Sequence, residues 1–316
     1  MMVIKWKGHI IENRKVKEGD RAMKFIRFQI GEVEKLGIFN KTETEILEIA
    51  KILGREFTSM INLIEKITEE ELKKLKETES NKKYKGYYTK EVKLCSPIKK
   101  PIHDIVCVGV NYRDHLEETQ KNFDKNFSVP QKTVYFSKRA IEIIGPGDTV
   151  KSRMDLDEKL DYEVELAVVI GKRGTDIPKE KVEEYIFGYS VFNDISAREL
   201  QGSHVQWYRG KSLDSFSSMG PVILHKSSLP FPVEVDIRSY VNGEIRQTSN
   251  TKLFLSNIGE IISEISSGIT LEAGDIVITG TPSGVGLGLK PQKFMKKGDI
   301  VVCEIPEIGR LENIIG

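Results

Sequence analysis

The chain has 316 residues, is 39% hydrophobic, and balances 48 Lys and Arg against 47 Asp and Glu for a formal charge of +1. That length holds one large domain, or a catalytic domain with a smaller companion, and the even charge gives no field that recruits nucleic acid or an acidic membrane surface. Cys95, Cys107 and Cys303 are odd in number and lack CxxC spacing, which fits reduced thiols in the cytoplasm and argues against a disulfide frame or a zinc site.

The opening MMVIKWKGHIIENRK interrupts its apolar run with Lys5, Lys7 and His9 and does not read as a secretory signal. No stretch approaches the roughly 18 apolar residues of a spanning helix. MKFIRFQIGE (23–32) and VEKLGIF (33–39) alternate like strands, while TETEILEIAKIL and EEELKKLKETES have helical spacing. Residues 76–93 are polar and rich in Lys, Glu and Tyr, and read as a linker in which NKKYK (81–85) solubilises the chain. The expected division is therefore a small α+β domain over 1–92 and a larger domain over 93–316. Past the boundary come short β runs: HDIVCVGV, TVYFSK, YEVELAVVIG, YIFGYSVFND, GPVILH, VEVDIRSYVNGEIRQ and DIVITG. Asn-Gly in VNGE (241–244) suits a type I′ hairpin turn. Helices are expected after Asp114, at KEKVEEYI, after Asp194 and in LFLSNIGEIISEISS. The fold class is mostly β with α, not a doubly wound sheet.

DYEVELAVVIG (161–171) carries the densest chemical signal. Period two puts Asp161, Glu163 and Glu165 on one face, with Tyr162, Val164, Leu166 and Val168 on the other. Alternating acids usually face water, yet Ala167 and Val169 continue the acidic face and bury its far end. Carboxylates side by side near a core repel and are costly to desolvate, so they require a cation. Glu163 and Glu165 at i, i+2 can converge on one hard ion. GYSVFNDISARELQ (188–201) offers a third carboxylate, Asp194, at a strand-to-helix junction where the plain alternative is a helix cap. Asp194, Arg198 and Gln201 at i, i+4, i+7 would share one helical face, which an ordinary amphipathic helix fills with Leu or Ile. The set lacks His, which favours Mg²⁺ or Mn²⁺ over Zn²⁺.

In VCVGVNYRDHLEET (106–119) a strand breaks at Gly109, turns at Asn111 and enters a polar helix. There His115 and Glu118 meet at i, i+3. A carboxylate beside an imidazole fixes its tautomer and raises its basicity, as a general base requires; the bare motif is more often a solvated surface pair. Lys211, in WYRGKSLDSF, reads on its own as solvated. TGTPSGVGLG (279–288) fails as a phosphate loop, since Leu287 and not Lys follows Gly286. It also fails as GxGxxG, with Leu289 or Pro291 at the third glycine. What remains is a glycine turn whose N–H groups and Thr281 hydroxyl can hold a carboxylate, or simply reverse the chain.

These motifs, in this order, resemble the fumarylacetoacetate hydrolase superfamily over about residues 92–316. VGVNYRDH, DYEVELAVVIGK, GYSVFNDISARELQ, RGKSLDSFSSMGPV, VNGEIRQ and TLEAGDIVITGTPSGVG carry the resemblance. The N-terminal extension is similar to that of the two-domain bacterial members. The resemblance implies a mixed β-sandwich roll preceded by a small α+β domain, a homodimer, and a small 2-oxo acid as substrate. It implies Glu163, Glu165 and Asp194 as ligands of Mg²⁺ or Mn²⁺. Arg198, Gln201, Lys211 and Thr281 match positions that hold the 2-oxo acid, with Lys211 also stabilising charge or moving a proton. His115 and Glu118 match a water-activating dyad on a lid. The family usually reads SARD where this chain has Ser196-Ala197-Arg198-Glu199, so Glu199 is expected beside the substrate face and not on it. The lid, residues 114–129, has only Phe123, Phe127 and Val129 to bury beyond Glu118, and substrate choice is expected there.

The activity so implied is metal-dependent C–C cleavage of a 2-oxo acid through an enolate, either acylpyruvate hydrolysis or oxaloacetate decarboxylation. Tautomerisation of a hydroxydiene-dioate shares that enolate and is the alternative. A non-catalytic protein binding a metal and an organic acid is the rival of another class; the presence of both His115 and Glu118 weighs against it.

Overall fold

The computed structural model describes residues 22–79, 84–122 and 132–316. Lys5, Lys7 and His9, the segment 81–83, and the proposed lid anchors Phe123, Phe127 and Val129 lie outside the described residues. Lys24–Ile30 (β1) and Val33–Phe39 (β2) form a hairpin, and Glu45–Glu48 (β3) pairs with β2. Ile49–Leu53 (α1), Met60–Lys66 (α2) and Glu69–Thr78 (α3) follow. TETEILEIAKIL is thus not one helix: Ile46 and Leu47 bury on opposite faces of a sheet, which is period two. Helix α2, unexpected from the sequence, is capped by the Ser59 side chain and buries Met60, Leu63 and Ile64.

Tyr87–Tyr88 (β4) pairs with β3, and Lys93–Cys95 (β5) with β1. The described part of the expected linker is therefore structured. Tyr87 packs on Phe28 with ring centroids 5.6 Å apart, and its hydroxyl donates to Glu48 at 3.0 Å.

Ile105–Gly109 (β6), Arg113–Asn122 (α4), Val134–Lys138 (β7), Thr149–Val150 (β8), Leu160–Asp161 (β9) and Val164–Ile170 (β10) come next. They lead through Val182–Tyr185 (α5) to Ile186–Asp194 (β11), Ser196–Ala197 (β12), Arg198–Ser203 (α6), Tyr208–Lys211 (α7) and Ser217–His225 (β13). Asp236–Val241 (β14), Glu244–Asn250 (β15), Ile258–Ser266 (α8), Ile276–Ile278 (β16), Ile300–Ile305 (β17) and Gly309–Ile315 (β18) complete the chain. The β14–β15 turn has φ of 52° at Asn242 and 81° at Gly243, as a type I′ turn requires.

The strands build a mixed, strand-rich fold with two principal sheets. The large one runs β4-β3-β2-β1-β13-β11-β10-β16-β6-β7, with β5 added beside β1; the second runs β15-β14-β17-β18-β8. Because β1 pairs with β13, the large sheet is continuous across residue 93. On β10, Val164, Leu166, Val168 and Ile170 pack with Ile237, Cys303, Ile305 and Leu311 of the second sheet. Ala167 and Val169 point the other way, into a core shared with α1, α2 and Phe192. Glu163 and Glu165 continue that second face.

Candidate metal centre and active site

Glu163, Glu165 and Asp194 come together on one face of the large sheet. β10 and β11 are antiparallel, Glu165 stands opposite Phe192, and the Asp194 N–H donates to the Glu163 carbonyl at 2.9 Å. All three are buried, with exposures of 6%, 1% and 0%. One carboxylate oxygen from each lies within 4.8 Å of the others, so the group can hold a metal ion. Asp194 ends β11 and caps nothing. Helix α6 starts only at Arg198, because Ser196 and Ala197 pair with Asp161 and Leu160. The expected single helical face of Asp194, Arg198 and Gln201 is corrected accordingly: a strand end and a short helix converge instead.

Protein cations surround the carboxylates. The Lys211 ammonium bridges Glu163 Oε2 and Asp194 Oδ2, 2.6 Å from each, and is itself 1% exposed, so it is not the solvated lysine its bare sequence suggests. Lys138, wholly buried, donates to Asp194 Oδ1 at 2.5 Å and to the Ile195 carbonyl at 3.0 Å. Arg198 donates to Glu163 Oε1 at 2.7 Å. Burial pushes the Glu163 carboxyl up, but Lys211 and Arg198 outweigh it and hold it below the usual carboxylate range. Glu165 has no such partner. Among the described residues its Oε2 accepts the Gly280 N–H alone, at 2.6 Å, and burial, aided by the Asp194 and Glu163 charges, drives its pKa well up.

The residues fit a hard divalent cation. The donor set is all oxygen, a protein ammonium already bridges two of its members, and the third lacks a side-chain cation. Asp161, Glu163 and Asp194 are paired with Arg198, Lys211 and Lys138, and among the described residues Glu165 is the one of the four carboxylates without an ion pair.

Asp161 leaves the acidic face, because β9 and β10 are separate strands. It pairs with Arg198 at 2.9 Å and accepts the Gly286 and Leu287 N–H groups at 2.7 and 2.9 Å. The glycine turn does hold carboxylates, but three from the protein: Glu165 at Gly280, Glu118 at Gly284, and Asp161 at Gly286 and Leu287. Gln201 accepts from Arg198 Nη1 at 2.9 Å. The Thr281 hydroxyl donates to the Val164 carbonyl and accepts from Gln247 Nε2. Glu199 lies away from the site, 54% exposed and paired with Lys159.

The helix α4 brings His115 and Glu118 into contact, with His115 Nδ1 3.0 Å from Glu118 Oε2. The other Glu118 oxygen accepts the Gly284 N–H at 3.0 Å, and Asp114 accepts from the Ser283 hydroxyl at 2.7 Å, so the helix docks on the glycine turn. The dyad and the carboxylate group share the glycine turn, whose Gly280 N–H holds Glu165 and whose Gly284 N–H holds Glu118. His115 is only 9% exposed.

Sequence reasoning missed three contributors. Lys138 ends an apolar strand, a position whose lysine would ordinarily reach solvent. Gln247 accepts the Val164 N–H at 3.1 Å and so fixes the backbone between the two glutamates. Asn111 binds Ser256 and the Thr279 carbonyl, tying the start of the α4 segment to the glycine turn. Only the VNGEIRQ and VGVNYRDH motifs hinted at the last two. A separate cavity of about 500 Å³ opens between β2, α1–α2 and residues 97–100; its Arg27 and Lys99 are both paired with Glu34.

Two packed sheets thus hold a buried, all-oxygen carboxylate group, with a His–Glu pair docked on the same glycine turn. The chain belongs to the fumarylacetoacetate (FAA) hydrolase family, whose C-terminal domain model matches residues 104–315. Oxaloacetate tautomerase YisK of Bacillus subtilis (strain 168) is 48% identical over 230 residues, covering 73% of this chain and 75% of that protein. Fumarylacetoacetate hydrolase from Exiguobacterium antarcticum is 35% identical with a TM-score of 0.77, over 93% of this chain and 99% of that one. 5-Carboxymethyl-2-hydroxymuconate delta-isomerase from Mycobacterium smegmatis is 28% identical with a TM-score of 0.69, over 93% and 99%. Among the described residues no helix is long and apolar enough to cross a membrane.

Proposed function

We propose that this chain is a divalent-metal-dependent tautomerase that interconverts the keto and enol forms of a small 2-oxo dicarboxylic acid, oxaloacetate being the first candidate. The observation that carries the reading is the buried group of Glu163, Glu165 and Asp194 joined to the His115–Glu118 pair by one glycine turn, which holds Glu165 at the Gly280 N–H and Glu118 at the Gly284 N–H. The likeness to a protein named oxaloacetate tautomerase supports the substrate. Bound Mg²⁺ or Mn²⁺ supplies Lewis acidity that favours the enolate of a 2-oxo acid. Glu118 accepts from Nδ1–H of His115, which leaves Nε2 as the atom that takes a proton from C3 or returns it. Lys211 presents an ammonium where negative charge develops. The docked α4 helix limits the access of water.

Mixing enol oxaloacetate with the Mg²⁺- or Mn²⁺-loaded protein and following the ultraviolet decay of the enol tests the reading. Acceleration that Glu163→Gln abolishes is expected, and no acceleration over metal alone sinks it. The second reading is C–C cleavage, favoured by the likeness to a fumarylacetoacetate hydrolase along nearly the whole chain. In that case His115 activates water, or CO₂ leaves oxaloacetate. Release of CO₂ or of two acids from a panel of oxaloacetate and acylpyruvates, faster than enol decay, would replace the tautomerase reading. Metal binding without turnover of any of them would leave a non-catalytic binder.

A further inference from the structure

Arg246 is the extra residue of a β-bulge. β14 and β15 pair regularly as far as Ser239 with Gln247, and the next pair is Tyr240 with Ile245, so Arg246 has no opposite residue. Bulges re-aim side chains and recur beside active sites. Here the side chain is only 11% exposed, and its Nε and Nη1 are buried without a hydrogen-bond partner. Its acidic contact, Glu244 at 3.2 Å, is 54% exposed and already held by Lys293 at 2.7 Å. A buried guanidinium with two idle donors is costly unless an anion meets it.

Its neighbours place it on the wall of the site. The guanidinium is a hydrogen-bonding neighbour of the Tyr162 hydroxyl, which donates to the Gly284 carbonyl at 3.0 Å, while its Nε and Nη1 stay without partners. The Gly284 N–H holds Glu118, the partner of His115. Gly284 has φ of 99°, and a Cβ there would come within 2.1 Å of the Arg246 carbonyl, so the glycine turn packs directly on the bulge. The adjacent Gln247 secures Thr281 and the backbone between Glu163 and Glu165. Arg198 and Lys211 are bound to Asp161, Glu163 and Asp194, whereas Nε and Nη1 of Arg246 meet no carboxylate among the described residues.

We infer that Arg246 receives the far carboxylate of a dicarboxylic 2-oxo acid whose other end sits at the carboxylate centre, and so selects diacids over monoacids. This rests on the tautomerase reading for its substrate class. A planar guanidinium offers two parallel donors, which suits a carboxylate better than a neutral end group.

The test is calorimetric binding of L-malate and of oxalate to the Mg²⁺-loaded wild type, Arg246→Met and Arg246→Lys. Oxalate carries no far carboxylate; L-malate does. Arg246→Met should weaken L-malate ten- to hundredfold, the range for losing a charge-assisted hydrogen bond, and leave oxalate within twofold. Arg246→Lys should recover part of the loss. With oxaloacetate as substrate, Arg246→Met should raise KM far more than it lowers kcat. Its metal-free melting temperature should hold or rise, because an idle buried charge has gone. A fall in melting temperature would make Arg246 structural and overturn the inference. So would equal weakening of both ligands, no weakening of either, or no L-malate binding by the wild type. Failure of the wild type to turn over oxaloacetate sinks the tautomerase reading alone, since the binding comparison needs no turnover.

Discussion

The Lys138 ammonium and the Asp194 carboxylate meet at 2.5 Å with neither side chain exposed. The contact joins β7, the strand that follows α4 in the chain, to the end of β11. Burial lowers the Lys138 pKa even though Asp194 opposes the shift, so the pair is held together against a desolvation cost. Removing one partner leaves the other charge buried. Asp194 keeps its Lys211 contact, so Lys138→Met should lower the metal-free unfolding free energy by about 2 kcal/mol, the cost of one lost buried hydrogen-bond partner. Lys138→Met with Asp194→Asn should recover much of that, because neither charge remains. Urea denaturation of both variants checks it, and additive losses in the double variant would show that the two residues do not act as a pair.

Glu165 gives the opposite expectation. It has no side-chain cation, and the Gly280 N–H can be accepted equally well by an amide oxygen. Glu165→Gln should leave metal-free stability within about 1 kcal/mol of the wild type. Mn²⁺ affinity should fall by at least about 100-fold with the loss of a direct carboxylate donor, since even outer groups cost up to that much. Titration calorimetry with Mn²⁺, beside a urea curve, reads both. Undiminished Mn²⁺ binding would remove Glu165 from the centre.

The carboxylate triad was legible because strand geometry leaves little choice: once Ala167 and Val169 are core, Glu163 and Glu165 share their face. The His115–Glu118 contact was legible for the same reason on a helix. Where pairing partners decide, the sequence is silent. Ser196 and Ala197 look like the first turn of a helix until β9 claims them. Lys138 reaches Asp194 across 56 residues, and Arg246 becomes a bulge only through its register with β14. Asp161 looked like a third member of the acidic face, and the break between β9 and β10 turned it to Arg198.

His225 predicts an acid-sensitive fold away from the site. It is 7% exposed, and its Nδ1 lies 2.9 Å from the Ser227 hydroxyl and accepts the Ser227 N–H at 3.3 Å. Burial first, and then Lys226 and Lys76, hold its pKa down at about 4. The unfolded chain has the higher pKa, so it binds the proton first. Stability is therefore full above the ordinary histidine value of about 6.5 and falls as the pH drops from there to about 4. The loss from this residue is on the order of 3 kcal/mol. Unfolding free energies at pH 7.5 and pH 4.5 should differ by less in His225→Gln than in the wild type; the same difference in both would clear His225 of the effect.

His115 and Glu118 separate the work of the base from the work of its holder. Glu118 binds the imidazole with one oxygen and the Gly284 N–H with the other, so it both orients His115 and docks α4. His115→Ala should slow enol–keto exchange of oxaloacetate by roughly two to four orders of magnitude, the usual worth of a general base. Glu118→Gln keeps an acceptor for Gly284 and a neutral partner for Nδ1, so its loss should be smaller. The two variants should bind oxalate with Mg²⁺ as the wild type does, because neither side chain belongs to the carboxylate centre. Decarboxylation of oxaloacetate, which needs no proton taken from C3, should suffer less than tautomerisation in His115→Ala. Equal losses in the two reactions would show that His115 serves a step common to both, such as closing α4 over the substrate, and would move the base elsewhere in the wall.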